Sequence, residues 1–200
     1  MSTPIDFYFD FASPYAYFGS LEIEALARRH DRQVAWHPVL LGAVFKTLGT
    51  SPLTAIPKKG DYSLHDMQRT ARFHDMLFTP PSKFPIATQA AARAMLWLQQ
   101  QDPQHALPFA QAIFSAYFTE DIDISDPETV VRIAADLGID RTALTAALAD
   151  QAVKDRLRQA TEAALERGVF GAPFVIVDGE SFWGFDRFTQ LESFLKNGKI

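Results

Sequence analysis

Ser13 stands at the junction between a strand-like run and a helical pattern, where a hydroxyl can act on an anion. Apolar side chains alternate through residues 5–11, and after Ser13-Pro14 they recur at helical spacing. Proline suits the first helical position, where no N–H is needed. The start of a helix offers unpaired N–H groups and partial positive charge, and a hydroxyl adds a charge-assisted hydrogen bond. Two roles for Ser13 follow: a plain helix cap, or a donor to an anionic ligand group such as a thiolate.

The chain contains no cysteine, so a thiol at this corner must arrive with a ligand. The absence of cysteine excludes disulfides, cysteine-ligated metals and dithiol redox chemistry by the protein itself. A free thiol has a pKa of about 8.5, so a site that lowers this pKa would produce more thiolate at neutral pH. No metal site is predicted, because metal-ligand spacing is missing among the five histidines, His30, His37, His65, His74 and His105.

Composition narrows the class of protein. The 200 residues allow one domain or two small ones, with 48% hydrophobic and 22% charged residues. A net charge of −5 argues against a nucleic-acid partner, which would require a basic face. No apolar run approaches the ~20 residues of a membrane span. Only residues 1–4 precede the first strand, so we expect no signal peptide and a cytoplasmic protein.

The remaining pattern predicts an α/β protein with a split sheet. A strand, a helix at 14–30 and a second strand form a βαβ unit, and a hairpin turn at Asp178-Gly179 joins two later strands before a helix at 187–196. Between these halves the pattern is helical almost throughout. We therefore predict a sheet domain from residues 1–60 and 169–200, with residues 61–168 as an inserted helical domain. The predicted strands are 4–11, 33–40, 174–177 and 181–183.

Several helix boundaries are marked by their local sequence. Residues 125–128 resemble a capping box with an early proline, which places a helix start near Ser125. Gly138 and Gly168 are predicted to end helices, and Asp140 to cap the short helix between them.

Four segments together resemble one known family, the 2-hydroxychromene-2-carboxylate isomerases and their relatives, the kappa-class glutathione transferases. The segments are 9–15, 57–62, 168–173 and 183–187. The resemblance implies a DsbA-like fold, in which a thioredoxin-like βαβ–ββα sheet carries a large all-helical insertion. It also implies that positions 13–16, here Ser-Pro-Tyr-Ala, replace a Cys-x-x-Cys motif, and that a cis peptide bond precedes Pro173.

The same resemblance implies a glutathione site. Ser13 would contact the sulfur and act as the catalytic residue, and Lys59, with Lys58 as a neighbouring contender, would contact the glycyl end. Ala172, beside Pro173, would present its backbone to the cysteinyl part as an added strand does.

The other end of glutathione would meet the segment that follows the last strand. Asp186 would receive the γ-glutamyl amino group, although an aspartate here also fits a helix cap. Phe185 departs from the small or polar residue of the family, so only its backbone N–H could bind. Thr50 stands where close relatives carry asparagine, and Ser51 could replace that contact.

The implied reaction interconverts 2-hydroxychromene-2-carboxylate and trans-o-hydroxybenzylidenepyruvate with glutathione as cofactor. A thiolate adds to the conjugated system, a double bond becomes single and rotates, and expulsion of the thiolate restores it. The substrate is a small aromatic carboxylate, held by unnamed lysine or arginine groups. Two alternatives stay open: a kappa-like glutathione transferase or peroxidase, and a redox-inactive thioredoxin-like module that binds peptides or partners. Members of the family are commonly homodimers, and we expect a dimer here.

Overall fold

A computed structural model describes residues 3–200 and shows a four-stranded mixed sheet. The strands are β1 (Ile5–Phe9), β2 (Val34–Pro38), β3 (Phe174–Val177) and β4 (Glu180–Trp183). They lie in the order β2-β1-β3-β4, with β1 parallel to β2 and antiparallel to β3, and β3 antiparallel to β4. This is the predicted βαβ–ββα arrangement of a thioredoxin-like sheet, and helices lie between its two halves as predicted.

Nine α-helices and two short 3₁₀ turns accompany the sheet within residues 3–200. The first and last helices flank the sheet, and most of the others form the predicted insertion. In chain order they are α1 (Pro14–Arg29), α2 (Leu41–Leu48), the 3₁₀ turn Leu53–Ala55, α3 (Lys59–Phe73), α4 (Gln89–Gln101), α5 (Pro103–Phe118), α6 (Pro127–Asp136), α7 (Arg141–Ala149), α8 (Gln151–Glu166), the 3₁₀ turn Phe185–Arg187 and α9 (Phe188–Asn197).

Phenylalanines of β1 and of the turn after it join the sheet to the inserted helices. Phe7, Phe9 and Phe11 are at most 1% exposed, and Phe9 and Phe11 each contact Phe114 of α5, with ring centroids 5.7 and 5.0 Å apart. Burial of one such side chain stabilises the fold by about 1.5–3 kcal/mol. The core is therefore shared by the sheet and the insertion, and the division into two domains at 61 and 168 stays a prediction.

The structure departs from the expected helices at three places. Residues 74–88 are not helical, because Pro80, Pro81 and Pro85 lack the N–H and restrict the residue before them. β2 ends at Pro38, and the apolar residues after it form α2, which was not predicted. Helix α6 is capped by Asp126, which accepts the Glu128 N–H, so the capping box at Ser125 was wrong.

Other boundary predictions are confirmed. Asp140 caps α7 by accepting the Ala143 N–H, and Gly138 and Gly168 follow α6 and α8 with left-handed φ of 86° and 84°. Asp178 and Gly179 both have positive φ, as the two-residue hairpin turn requires. No helix between residues 3 and 200 is long and apolar enough to cross a membrane.

Candidate active site

Ser13 caps α1 and also reaches across to the opposite half of the sheet domain. Its Oγ accepts the Ala16 N–H at 3.2 Å and donates to the Ala172 carbonyl at 3.0 Å. Pro14 has no N–H, and the Tyr17 N–H donates to the Ser13 carbonyl. The Tyr15 N–H, also in the first turn of α1, has no acceptor among residues 3–200. The helix start therefore offers one free N–H beside a hydroxyl, which suits an incoming anion.

The segment facing Ser13 has the predicted shape. The Ala172–Pro173 peptide bond is cis, as expected, and the Pro173 carbonyl accepts the Gly184 N–H at 2.9 Å. Gly171 lies directly under the Trp183 indole, and a Cβ there would come within 2.3 Å of its Nε1. Trp183 therefore covers the backbone just before Ala172, and any side chain at 171 would displace the indole.

A cavity of about 1300 Å³ opens in front of this corner and collects most of the predicted site residues. Its volume exceeds the ~300–1,000 Å³ of ordinary ligand pockets. Predicted residues in its lining are Ser13, Thr50, Ala172, Phe185 and Asp186.

Asp186 is available for a ligand. Neither the 3₁₀ turn Phe185–Arg187 nor α9 has a side-chain cap, so the capping alternative for Asp186 does not apply. Its carboxylate is 74% exposed and lies 3.7 Å from the Arg187 guanidinium. Gly184 has φ of 103°, and a Cβ there would meet the Asp186 Oδ1 at 2.4 Å. Glycine at 184 thus lets this carboxylate fold back along the cavity wall.

Phe185 has a structural explanation for its departure from the family pattern. It is 4% exposed and packs against Phe18, His74 and Phe188, with ring centroids 4.8–6.0 Å away. Its side chain therefore belongs to the core, and only its backbone can contact a ligand.

Of the two polar contacts predicted at Thr50 and Lys59, one lies at the cavity and the other does not. Thr50 is exposed and lines the cavity. Lys59 is exposed in the first turn of α3 and is outside the cavity lining, as is Lys58 before it. Gly60 packs α3 closely on the preceding turn, since a Cβ there would lie 2.6 Å from the Thr54 carbonyl oxygen. The contact assigned to Lys59 stays a prediction.

Asp10 fixes the loops around Ser13, a role that sequence reasoning missed. The carboxylate is 4% exposed and accepts the Ala12 N–H at 2.9 Å, the Leu41 N–H at 2.7 Å and the Thr88 hydroxyl at 2.8 Å. Burial raises the pKa of Asp10, while these hydrogen bonds act to lower it. One side chain thus joins the loop before α1 to the starts of α2 and α4. Aspartate in the run 9–15 signalled a motif, but its partners 31 and 78 residues away carried no local signal.

A second group of polar side chains was also missed. The Tyr15 hydroxyl donates to Asp66 Oδ2 at 2.5 Å, and the Arg69 guanidinium donates to Asp66 Oδ1. All three side chains line the cavity. Asp66 and Arg69 are three residues apart on α3, a spacing typical of any exposed ion pair, so the sequence alone does not separate them from surface charges.

Comparison with known proteins relates the whole chain to one family. Residues 4–196 match the model of the DSBA-like thioredoxin domain. The chain is 32% identical to a 2-hydroxychromene-2-carboxylate isomerase of Sphingobium xenophagum, over 98% of this chain and 99% of that one. It is 28% identical to glutathione S-transferase kappa 1 of Caenorhabditis elegans, over 96% and 90% of the two chains.

A solved structure agrees with these relatives. The selenomethionine form of a 2-hydroxychromene-2-carboxylate isomerase superposes with a TM-score of 0.87 at 28% identity, covering 97% of this chain and 95% of that one. The similarity thus includes both the sheet and the inserted helices.

Proposed function

Because the chain belongs to the 2-hydroxychromene-2-carboxylate isomerase family of DsbA-like thioredoxin-fold proteins, we propose that it is a glutathione-dependent isomerase. The reaction interconverts 2-hydroxychromene-2-carboxylate and trans-o-hydroxybenzylidenepyruvate. One observation carries the proposal: in a chain without cysteine, the Ser13 hydroxyl and the free Tyr15 N–H lie together at a helix start that borders a large cavity.

The corner fits an anion better than a neutral group. The positive end of the α1 dipole and the Tyr15 N–H both favour negative charge at this point. Bound glutathione supplies a thiolate that adds reversibly to the conjugated substrate, so that the double bond is single while it rotates. Ser13 and α1 hold the negative charge at the sulfur position before addition and after expulsion.

Ser13 must exchange hydrogen bonds to perform this role. In the free protein its hydroxyl proton is directed at the Ala172 carbonyl. A peptide-like ligand that pairs with the backbone of Ala172 brings an N–H to the same carbonyl, as an added strand does. The Ser13 hydroxyl is then released to donate to the sulfur, while its Oγ still accepts the Ala16 N–H.

The two charged ends of glutathione have candidate partners on different segments of the chain, Asp186 in the cavity lining and Lys59 at the start of α3 outside that lining. The exposed Asp186 carboxylate suits the γ-glutamyl ammonium group, as a charge-assisted hydrogen bond. We assign the glycyl carboxylate to Lys59, with Thr50 at the cavity wall as a neutral contact.

The test is an isomerisation assay with and without a free thiol. We expect turnover of the chromene acid to require glutathione and to saturate with it. S-methylglutathione, which keeps both charged ends but has no ionisable thiol, should bind and fail to support turnover. Turnover that proceeds equally without glutathione, or with the S-methyl compound, would refute the proposed mechanism.

A second candidate shares the same site. The 28% identity to glutathione S-transferase kappa 1 favours a kappa-like transferase, in which the thiolate adds irreversibly to another electrophile. Glutathione binding together with a stable conjugate, in the absence of isomerisation, would favour the transferase. Failure to bind glutathione would favour the redox-inactive binding module.

A further inference from the structure

Helix α3 turns one face towards the cavity. The lining residues on this helix recur at spacings of three and four, which is the period of a single helical face. They are Asp66, Met67, Arg69, Thr70, Phe73 and, just after the helix, His74. This face places a guanidinium and an aromatic ring one turn apart, at Arg69 and Phe73.

One edge of the Arg69 guanidinium is held by hydrogen bonds, and its other donors have no partner among residues 3–200. Its Nη2 donates to the Tyr62 hydroxyl at 2.9 Å and to Asp66 Oδ1. Its Nε and Nη1 have no hydrogen-bond partner among residues 3–200. The side chain is 50% exposed, so these donors can reach a ligand.

The Asp66 carboxylate does not prevent Arg69 from binding a ligand, because both of its oxygens already accept hydrogen bonds. Oδ1 accepts from Arg69, and Oδ2 accepts from Tyr15 at 2.5 Å. Burial and the contact with Asp66 raise the pKa of Tyr15, so its hydroxyl stays protonated and keeps donating. Tyr15 lies two residues after Ser13, and this hydrogen bond therefore ties Arg69 to the helix start that faces the ligand.

We propose that Arg69 binds the carboxylate of a flat aromatic substrate whose ring lies against Phe73. This proposal rests on the proposed function for the identity of the substrate class. Among the other cations, Arg187 lies beside the Asp186 carboxylate at 3.7 Å, and Lys59 and Lys58 are outside the cavity lining. Both oxygens of Asp66, the ion-pair partner of Arg69, already accept hydrogen bonds, and Nε and Nη1 of Arg69 have no partner among residues 3–200. Arg69 is therefore the lining guanidinium best able to bind a ligand carboxylate.

The experiment measures the binding of two probes to the protein without glutathione, one probe charged and the other neutral. Chromone-2-carboxylate is a flat bicyclic acid, and chromone-2-carboxamide has the same shape without the charge. Calorimetry is done on the wild type, Arg69→Gln and Arg72→Gln. Arg72 is the matched control, since it is exposed on the same helix and outside the cavity lining.

We expect the wild type to bind the carboxylate more tightly than the carboxamide. Arg69→Gln should weaken carboxylate binding by about ten-fold or more, as the loss of a charge-assisted contact implies, and leave carboxamide binding unchanged. Arg72→Gln should match the wild type for both probes. Equal weakening for both probes, no weakening for either, or a wild type that binds neither would overturn the proposal.

Failure of the proposed function would be visible separately. A wild type that binds the carboxylate through Arg69 but shows no glutathione-dependent turnover would refute the isomerase and leave the carboxylate site in place. Glutathione-dependent turnover that Arg69→Gln leaves with unchanged KM would refute the carboxylate site and leave the isomerase in place.

Discussion

Asp186 is the residue whose two competing interpretations the structure separates most clearly. A carboxylate before α9 was equally consistent with a helix cap and with a ligand for an ammonium group. It caps neither α9 nor the 3₁₀ turn before it, and its side chain is 74% exposed on the cavity wall. The ligand role therefore remains, and it is testable by removing the charge while keeping the shape.

Asp186→Asn should weaken glutathione binding by about ten-fold or more, because a charge-assisted hydrogen bond contributes on the order of 1.5–3 kcal/mol. Glu180→Gln removes a charge from an exposed position on β4 outside the cavity lining and should leave the affinity unchanged. Calorimetric titration of both variants measures the effect. Identical affinities for the two variants would show that Asp186 does not hold the γ-glutamyl end.

Whether Lys59 or Lys58 contacts the glycyl carboxylate can be decided by comparing glutathione with its glycyl ethyl ester. If Lys59 holds the glycyl carboxylate, the wild type should bind glutathione more tightly than its glycyl ethyl ester. Lys59→Ala should lose this preference, and Lys58→Ala should keep it. The reverse pattern would transfer the role to Lys58, and a preference retained by both variants would remove it from this segment.

The capped helix start at Ser13 could be predicted from sequence, whereas the cavity face of α3 could not. Ser13-Pro14 after an alternating apolar run marks a capped helix start by local chemistry alone. Asp66 and Arg69 become informative only once the cavity face of α3 is known, because their spacing is shared by ordinary surface ion pairs.

At the scale of elements, Asp10 joins three segments that border the cavity. Asp10→Ala would leave two half-buried N–H groups and the buried Thr88 hydroxyl without their acceptor. An unsatisfied buried donor costs about 1–3 kcal/mol, so the loss of the Thr88 bond and of the two half-buried bonds together should lower the free energy of unfolding by roughly 3 kcal/mol. Urea denaturation measures the loss. A change below about 1 kcal/mol would mean that water or a rearranged loop replaces the carboxylate.

The contribution of Asp10 to the free energy of unfolding depends on pH with a definite sign. Burial raises the pKa of Asp10 above its unfolded value, so the folded state binds the extra proton. Its contribution to stability therefore grows as pH falls from the raised pKa towards the ordinary value of about 3.9, and is lost as pH rises. Compared with Asp10→Asn, which does not titrate, the wild type should become relatively more stable as pH falls towards about 4. A difference independent of pH would contradict this.

Element prediction succeeded where the signal is local and failed where prolines or tertiary contacts decide. The strands and α1 were placed within a few residues, because their periodicity and end signals agree. The non-helical segment 74–88 was missed despite its prolines. The start of α2 depends on Asp10, whose carboxylate accepts the Leu41 N–H across 31 residues.

At the scale of the whole molecule, we propose that two copies of the chain associate. Leu77 is 79% exposed, and its carbonyl accepts the hydroxyl of Tyr17, one turn before the 49% exposed Leu21 on α1. Exposed large apolar side chains of this kind are candidates for an interface. We expect sedimentation to show a dimer at micromolar concentration, and Leu77→Asp to weaken it.

Ile200→Asp, at an exposed apolar position after α9, is the control and should leave the dimer unchanged. A wild type that sediments as a monomer throughout this range would contradict the proposed assembly. A dimer unaffected by Leu77→Asp would place the interface elsewhere on the molecule.

The central claim is that a helix corner without cysteine activates a thiol carried by its ligand. The direct measurement is the ultraviolet thiolate absorbance of the glutathione complex against pH, for the wild type and Ser13→Ala. The variant should stay folded, since loss of a cap costs only about 0.5–2 kcal/mol. We expect the pKa of bound glutathione to be below about 8.5 in the wild type and about one to two units higher in Ser13→Ala, with partial activation left by α1. Superimposable titrations would show that Ser13 is only a helix cap and would contradict the account.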